Sequence, residues 1–235
     1  MTPTLEFRLA QPHEAGLVSA VLTGAAARLV ERGQTLWELS QLSAQAIEPD
    51  VRGGLYHLAL EGAQPVGVFR FQMQDPHFWP EVPAGSSAFV HKLAVAPDRQ
   101  GRQLAHALLA HACKLARQKE RQYLRLDCRS GRPKLRGVYE RFGFRFHSAL
   151  QLGGAMFDRL EIDLATHRFN VFGRIYSIQR EGTLWQAYAH GPDGKRSPAG
   201  FVVPDFITPD EMEQYLFDLF HESATPGNGD VRRIA

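Results

Sequence analysis

The chain has 235 residues, of which 44% are hydrophobic and 22% are charged, and its formal net charge at pH 7 is +2. This composition is that of an ordinary globular protein, and it excludes a disordered chain and a collagen-like repeat. The near-balanced charge gives no electrostatic support for nucleic-acid binding.

The sequence also carries expectations about its compartment. No apolar run is long enough for a transmembrane helix, and the first residues lack the basic start and apolar run of a signal peptide. Cys113 and Cys128 are too few for a disulfide framework, and their spacing fits no zinc or redox motif. We therefore expect a cytoplasmic protein without a membrane or nucleic-acid partner.

The N-terminal part of the chain predicts a strand, two helices and two further strands. Polar and apolar residues alternate over Leu5 to Leu9, and a helix with one apolar face follows from Pro12 to Gly33. A weaker helix is predicted from about Leu36 to Ile47. Two strand-like runs, Leu55 to Leu60 and Val66 to Met73, then flank a hairpin signal.

The next stretch is the most informative. A buried strand is predicted over Ala88 to Ala96, and a short polar loop leads from it directly into a helix. The backbone N–H groups at such a helix start are unpaired and carry positive partial charge, so they can bind an anion. Arg99 and Arg102 would add positive charge for a phosphate. The alternative is a plain strand-to-helix turn with surface arginines.

Beyond this helix the pattern is again strand, helix and strands. Tyr123 to Cys128 predicts a short strand, and a short helix then ends at Gly143. Strands follow around Arg145 to Leu150 and Phe157 to Leu164. A strand, a helix of this length and another strand predict a parallel β-α-β crossover inside a mixed sheet.

After about His167 a second folded region begins. Strands are predicted over Phe169 to Arg180, Trp185 to His190 and Phe201 to Val203, and a capping box at Thr208 opens a final helix. The meander and helix predict a small α+β domain. A unit of below about 70 residues gains little stability alone, so docking on the first domain or self-association as a homodimer is open.

These patterns divide the chain into three parts. The first domain is expected over residues 1–166, and the small domain, in which no catalytic cluster is found, over 167–224. A segment rich in Pro, Gly and Asn predicts a flexible tail over 225–235.

The loop before the third long helix carries a family resemblance. Leu93 to Ala105 resembles the acetyl-CoA loop of the GCN5-related N-acetyltransferase (GNAT) superfamily, whose pattern is Gln or Arg, two residues, Gly, any residue, then Gly or Ala. Gln100 and Ala105 match the ends of this pattern, whereas Gln103 stands where the middle Gly is usual. Tyr139 to Phe144 resembles the family's Tyr-x-x-x-Gly-Phe segment, and the likeness covers about the first 165 residues.

The resemblance implies an α/β fold with a mixed, splayed central sheet flanked by helices. In this family the pantetheine arm of acetyl-CoA pairs with the edge exposed after a bulge in the fourth strand, and a loop binds the pyrophosphate. A departure is Arg132, which stands where an Asn is usual. The cofactor-binding residues implied here are Leu93, Ala94, Val95, Arg99, Gln100, Gly101, Arg102, Gln103, Leu104 and Ala105.

The resemblance also implies catalytic roles. Tyr139 would be the general acid to the sulfur of CoA, although it could instead be a core aromatic, and a backbone N–H near Leu93 would stabilise the oxyanion. The fourth strand lacks the Glu that many relatives carry, which leaves His91 as the candidate base there, or as a structural histidine. Asp127 could be a base, a substrate contact or the partner of Arg125.

The acceptor side is less defined. Trp37, Asp75 and Trp79 lie on segments that line the acceptor cleft in this family, where aromatic rings with a carboxylate suit a cationic amine. The alternative is that both tryptophans pack in the core or a lid. His106 and His111 are too far apart on a helix to bind one metal ion, and we expect no metal site.

We therefore expect an acetyl-CoA-dependent N-acetyltransferase that moves the acetyl group directly to a primary amine. A small-molecule amine is the first expectation for the acceptor, and a protein lysine or N-terminus is the next. The alternative is a non-catalytic acyl-CoA-binding regulatory or interaction protein. Acetylation of an aminoacyl-tRNA is disfavoured by the near-zero net charge.

Overall fold

The computed structural model of the chain describes residues 5–34, 36–99, 101 and 103–234. The chain forms two compact units, residues 1–162 and 163–235. No helix in these described ranges has the length and apolar character needed to cross a lipid bilayer.

The first unit is built on a seven-stranded sheet. Its strands are β1 (Leu5–Leu9), β2 (Tyr56–Glu61), β3 (Gln64–Gln72), β4 (Ser87–Val95), β5 (Tyr123–Arg129), β6 (Arg145–Leu152) and β7 (Ala155–Asp163). They lie in the order β1-β2-β3-β4-β5-β7-β6. The pairs β1–β2, β2–β3 and β3–β4 are antiparallel, whereas the pair β4–β5 is parallel. The expected mixed, splayed sheet is confirmed.

Four helices accompany this sheet. They are α1 (Ala15–Val30), α2 (Ala44–Arg52), α3 (Leu104–Gln118) and α4 (Pro133–Phe142). Each buries an apolar stripe at helical spacing, as Leu104, Leu108 and Ala112 do on α3. The weaker predicted helix at 36–47 is corrected: a 3-10 turn at Leu39–Leu42 precedes α2, because the Ser43 side chain caps the helix that starts after it.

A bulge distorts β4 next to β3. Val68 on β3 pairs with Ala94, but Arg70 pairs with His91, so one residue of β3 faces two residues of β4. Lys92 within this bulge has a φ of +46°, in the left-handed region. The bulge interrupts the strict alternation of side chains beyond His91.

β4 and β5 separate immediately after this point. Their last pair joins Val90 to Leu126, although β4 continues to Val95 and β5 continues to Arg129. Residues 91–95 of β4 therefore have no paired residue on β5. This opening is the splay that the resemblance implies, and it positions the candidate site.

The second unit contains a five-stranded sheet and one helix. Its elements are β8 (Thr166–Val171), β9 (Arg174–Glu181), β10 (Leu184–His190), β11 (Arg196–Pro198), α5 (Met212–Phe220) and β12 (Val231–Ile234). The strands lie in the order β11-β10-β9-β8-β12. Phe169, Trp185, Met212 and Leu216 form the centre of its apolar core.

Two strand predictions for this unit need correction. The predicted run 169–180 is two strands, because Phe172 and Gly173, with φ of +49° and +88°, form a two-residue turn between β8 and β9. The strand predicted over Phe201–Val203 is absent, and Arg196–Pro198 pairs with β10 instead.

The predicted flexible tail is also corrected. Thr225 and Asn228 form a tight turn, and Val231–Ile234 then pairs with β8 as an edge strand. Val231 is 7% exposed and belongs to the core of the unit. The Pro- and Gly-rich segment thus turns the chain back to the sheet.

Candidate functional site

A cavity of about 440 Å³ lies where β4 ends and α3 begins. Its walls come from the end of β4, the loop and first turn of α3, and the later turns of α4: Val95, Arg99, Gly101, Gln103, Leu104, Ala105, His106, Val138, Arg141 and Phe142. It brings together most of the predicted cofactor-binding residues. Leu93 and Ala94 lie just before it on β4, and the predicted Gln100 and Arg102 lie outside the described residues.

The loop backbone suits an anion. Gly101 and Gln103 both have positive φ, +82° and +57°, and Gln103 is the residue immediately before the first turn of α3. The N–H groups of a first helical turn lack intrahelical acceptors. The left-handed backbone of Gln103 also explains why the family pattern has Gly at this position.

Arg99 lines the same cavity but has carboxylate partners. Its Nε atom lies 3.0 Å from Glu61 Oε2, and its Nη1 atom lies 3.0 Å from Asp98 Oδ2. Arg99 also donates a hydrogen bond to Gln64 Oε1. The end of β2 therefore fixes the position of this guanidinium group, and its charge is partly neutralised there.

Tyr139 is buried on α4, with its ring centroid 6.1 Å from that of Phe144. Burial raises the pKa of its hydroxyl above the ordinary value, and the nearby Cys128 and Asp127 add to the effect. The hydroxyl therefore stays protonated at neutral pH and can act as a hydrogen-bond and proton donor. The proposed acid role and the core-aromatic alternative are both compatible with this burial.

Three predicted residues meet where β4 and β5 separate. His91 Nε2 lies 3.0 Å from Asp75 Oδ2, and His91 Nδ1 lies 3.3 Å from Asp127 Oδ1. Asp75 belongs to the loop between β3 and β4, and its Oδ1 accepts hydrogen bonds from the backbone N–H groups of His77 and Phe78. The structure thus joins two predicted catalytic residues to one predicted substrate residue.

This arrangement favours a charged His91. Burial opposes the charge, but the carboxylates of Asp127 and Asp75 outweigh it and raise the pKa of His91 to about 9. Burial likewise acts to raise the pKa of Asp75, but His91 and the two amides bring it below its usual range. A ring that carries a proton at neutral pH does not accept another, which weighs against the base role of His91, and that role stays a prediction.

Gln72 completes the surroundings of His91. Its Nε2 atom lies 3.0 Å from His91 Nε2, and its Oε1 atom accepts a hydrogen bond from Arg70. Arg70 in turn is held by Asp50. The amide nitrogen of Gln72 can only donate, so beside a charged His91 this contact joins two donors and opposes the charge that the two carboxylates favour.

The predicted acceptor residues are not all together. Trp79 is 1% exposed and packs in the core, and the guanidinium groups of Arg125 and Arg159 lie 4.9 and 4.7 Å from its ring centroid. It shares a cavity of about 210 Å³ with Asp75. Trp37 is half-buried and packs instead against the core formed by α1, α2 and β2.

The cluster of Asp75, His91 and Asp127 also bears on metal binding. Each side chain offers one ligand atom, and these atoms lie within 4.8 Å of one another. The expected absence of a metal site therefore stays a prediction.

Several residues at these sites were not predicted. They are Gln72, Phe78 and Phe157 near His91, and His106, Val138 and Arg141 at the cavity. Val138 and Arg141 could have been found from their position on the helix that carries Tyr139. No sequence pattern places Phe78 and Phe157 at this site, because they come together only through the packing of segments that are far apart in the chain.

Comparison with protein families gives two matches. A model described as the acetyltransferase (GNAT) family matches residues 25–144, and a model described as a domain of unknown function (DUF7661) matches residues 166–235. The first match confirms the resemblance found in the loop and in the Tyr139 segment. The second confirms a C-terminal domain of uncharacterised role. No curated protein matches the chain.

Solved structures share the fold. A GNAT-family acetyltransferase from Listeria monocytogenes is 22% identical with a TM-score of 0.58, and the match covers 68% of this chain and 95% of that one. An acetyltransferase from Thermus thermophilus is 20% identical with a TM-score of 0.52, covering 68% and 97%. The PaiA N-acetyltransferase of Thermoplasma acidophilum, solved with coenzyme A, is 13% identical with a TM-score of 0.53, covering 66% and 98%.

Proposed function

The chain belongs to the GNAT acetyltransferase family, and from that premise we propose that it transfers the acetyl group of acetyl-CoA directly to a primary amine of a small molecule. The observation that carries the proposal is the opening of the sheet. β4 and β5 separate after Val90 and Leu126, beside a cavity of about 440 Å³ at the start of α3.

The separated strand supplies the binding edge. Residues 91–95 pair with β3 on one side only, and their backbone groups on the other side, beyond the last pair with β5, can hydrogen-bond the amides of a pantetheine arm, as an added strand would. The first turn of α3 and the loop before it can bind the pyrophosphate. Arg99, fixed by Glu61, adds positive charge at that end. The same backbone edge would stabilise the negative charge that develops on the thioester oxygen.

Tyr139 is proposed as the proton donor to the leaving sulfur. Its raised pKa keeps the hydroxyl protonated until a stronger base, the departing thiolate, forms next to it. The amine must reach the thioester as the neutral form, since a protonated amine has no lone pair for attack.

The burial of both cysteines supports direct transfer, in which no acetyl-enzyme forms. Both are buried, and burial raises the pKa of Cys113 to about 12 and the pKa of Cys128 to about 11. A cysteine nucleophile reacts as the thiolate, which neither residue provides at neutral pH.

The proposal is tested with the full chain by calorimetry and by an acetylation assay. We expect acetyl-CoA to bind and CoA thiol to be released with members of a panel of primary amines. Ala105→Glu places bulk and negative charge in the cavity and should weaken acetyl-CoA binding by about tenfold or more. Ala110→Glu is the matched control, because Ala110 is an exposed residue of the same helix.

The outcomes separate the alternatives. If the wild-type chain binds no acetyl-CoA, the proposal fails. If it binds acetyl-CoA but acetylates no amine of the panel, the non-catalytic acyl-CoA-binding alternative is supported instead.

A further inference from the structure

We propose that Asp75 and Asp127, together with His91, bind the ammonium group of the acceptor, so that the acceptor is an aliphatic amine that arrives as a cation. This inference rests on the proposed acetyltransferase function. It names the class of amine and the side chains that recognise it.

The charge of the cluster is unbalanced. Two carboxylates face one imidazolium, which leaves one negative charge on the three side chains. The side chains of Asp75 and Asp127 are 4% and 10% exposed, so water solvates them poorly. A buried net charge is unfavourable unless an opposite charge joins it. The cluster therefore lacks one cation.

Two carboxylate oxygens that lie in ion pairs with His91 can each accept a further donor. Within the described residues, Asp75 Oδ2 and Asp127 Oδ1 are buried and accept no hydrogen bond of good geometry. The nitrogens of His91 are close enough for an ion pair with them, but they do not satisfy these oxygens as aligned donors. An ammonium group has three N–H donors and can satisfy both oxygens at once.

An aromatic wall stands beside the cluster. The ring centroid of Phe78 lies 5.9 Å from that of His91, and Phe157 packs edge-on against Phe78 with centroids 5.1 Å apart. Both phenylalanines are half-buried. Aromatic rings attract organic cations and cover their carbon atoms. This wall suits an alkylammonium group better than a hydrated metal ion.

A metal ion is disfavoured by the surroundings of His91. A metal needs a free imidazole lone pair, but one carboxylate oxygen lies 3.0 Å from Nε2 and another lies 3.3 Å from Nδ1, and each favours a proton on the ring nitrogen that it faces. A cation that binds through N–H donors needs no such lone pair.

The cluster lies where the reaction is proposed to occur. His91 and Asp127 directly follow Val90 and Leu126, the last pair before the sheet opens. The ammonium can lose one proton to the carboxylate of Asp127 and from there to solvent. The neutral nitrogen then forms the N–C bond while the C–S bond breaks, and its second proton reaches the thiolate through Tyr139. One proton is thus released and one ends on CoA.

The test compares isomeric amines on the full chain. Benzylamine is paired with 4-methylaniline, and 2-phenylethylamine with 4-ethylaniline, because each pair has one formula but only the aliphatic member is protonated at neutral pH. Released CoA thiol gives kcat and KM, and calorimetry on the CoA-bound chain compares benzylamine with benzyl alcohol. We expect turnover of the aliphatic members and binding of benzylamine alone.

Variants assign the effect to the cluster. Asp75→Asn and Asp127→Asn should each lower kcat/KM for the aliphatic amines by about tenfold or more, because each removes a charged acceptor. Binding of acetyl-CoA should change by less than about twofold, and Asp127→Glu, which keeps the charge, should recover part of the loss. Glu48→Gln is the control, since Glu48 pairs with Arg52 on the surface of α2. Thermal unfolding checks that each variant folds.

The inference is overturned if the arylamines are acetylated as well as their aliphatic isomers, or if neither Asn variant changes kcat/KM. It is also overturned if benzylamine and benzyl alcohol bind the CoA-bound chain equally or not at all. Stoichiometric binding of Zn²⁺ or Mn²⁺ that Asp75→Asn abolishes would assign the cluster to a metal. Failure of acetyl-CoA to bind would instead overturn the proposed function itself.

Discussion

Val90 and Leu126 form the last backbone pair between β4 and β5. The next residue on each strand carries a side chain that can be charged, and these side chains, His91 and Asp127, meet with their nearest atoms 3.3 Å apart. The bulge that pairs Arg70 with His91 begins at the same place on the other side of β4. The opening of the sheet and the charged cluster are therefore parts of one local distortion.

The charged state of His91 predicts a pH dependence of stability. The pKa of His91 is raised to about 9 in the folded chain, against about 6.5 when unfolded. Its contribution is thus fully present below pH 6.5 and is lost as the pH rises toward 9, with an upper limit of about 3 kcal/mol. Urea unfolding at pH 6.0, 7.5 and 9.5 should show the difference between wild type and His91→Gln shrinking with pH. A constant difference would contradict the assignment.

His57 predicts the opposite slope. Burial, with a smaller effect from His111, lowers the pKa of His57 to about 4. Between pH 6.5 and 4 the unfolded chain binds the proton more readily, so stability falls as the pH falls through this window. His57→Phe keeps the ring stack on Phe69, whose centroid is 5.2 Å away, and should remove this part of the acid-side loss. Urea unfolding at pH 7.0, 5.5 and 4.5 measures the free energy of unfolding of the wild type and of His57→Phe. The same dependence on pH in both chains would refute this role of His57.

The backbone at Gln103 predicts a stabilising substitution. Its φ of +57° is unfavourable for a residue with a Cβ atom. Gln103→Gly should therefore raise the free energy of unfolding by up to about 1 kcal/mol, without weakening acetyl-CoA binding. Gln118→Gly, at the right-handed end of α3, should instead lower stability by about 0.5–1 kcal/mol. Chemical denaturation of the wild type, Gln103→Gly and Gln118→Gly measures these changes. A loss of stability in Gln103→Gly would contradict backbone strain at Gln103.

The loop and the cluster differ in how far the sequence predicts them. The strand, the loop and the start of α3 are consecutive, so residues such as Gly101 and Ala105 reveal the cavity through local pattern alone. The cluster joins His91 and Asp127 from two strands with Asp75 from a loop, and only the pairing of the strands brings them together. The protonation of His91 depends on Asp75 and Asp127. Because the sequence does not show that these carboxylates lie next to the ring, it predicts a neutral histidine that could serve as a base.

The element boundaries show the same limit. Ser43 starts α2 later than the apolar pattern alone suggests, because its cap is a side-chain contact. Phe172 adopts a left-handed backbone that its residue type does not favour, so the turn between β8 and β9 gave no signal. Val231 lies in a segment whose polar composition predicts a tail. Its pairing with β8 and its burial in the core depend on contacts with distant parts of the chain.

The buried hydroxyl of Tyr139 predicts a kinetic effect. Tyr139→Phe removes the proposed proton donor and should lower kcat by about a hundredfold with little change in KM for acetyl-CoA. Tyr56→Phe is the matched control, because the hydroxyl of Tyr56 is buried and, in the described part of the chain, has no hydrogen-bond partner. That control should keep kcat and gain up to about 1 kcal/mol in stability. Full turnover by Tyr139→Phe with an accepted amine would leave Tyr139 as a core aromatic.

The edge strand β12 predicts that the end of the chain stabilises the second unit. Val231 is 7% exposed in the core, and Val231–Ile234 pairs with β8 along its whole length. Removal of residues 230–235 would uncover the β8 edge and the apolar core beneath it, which favours association between chains. Scanning calorimetry and hydrogen exchange should show lower protection of β8 and β9, and Val231→Ala should cost about 1 kcal/mol. Arg232→Ala, at an exposed position on the same strand, is the control. If truncation leaves the exchange of β8 unchanged, the segment is a tail after all.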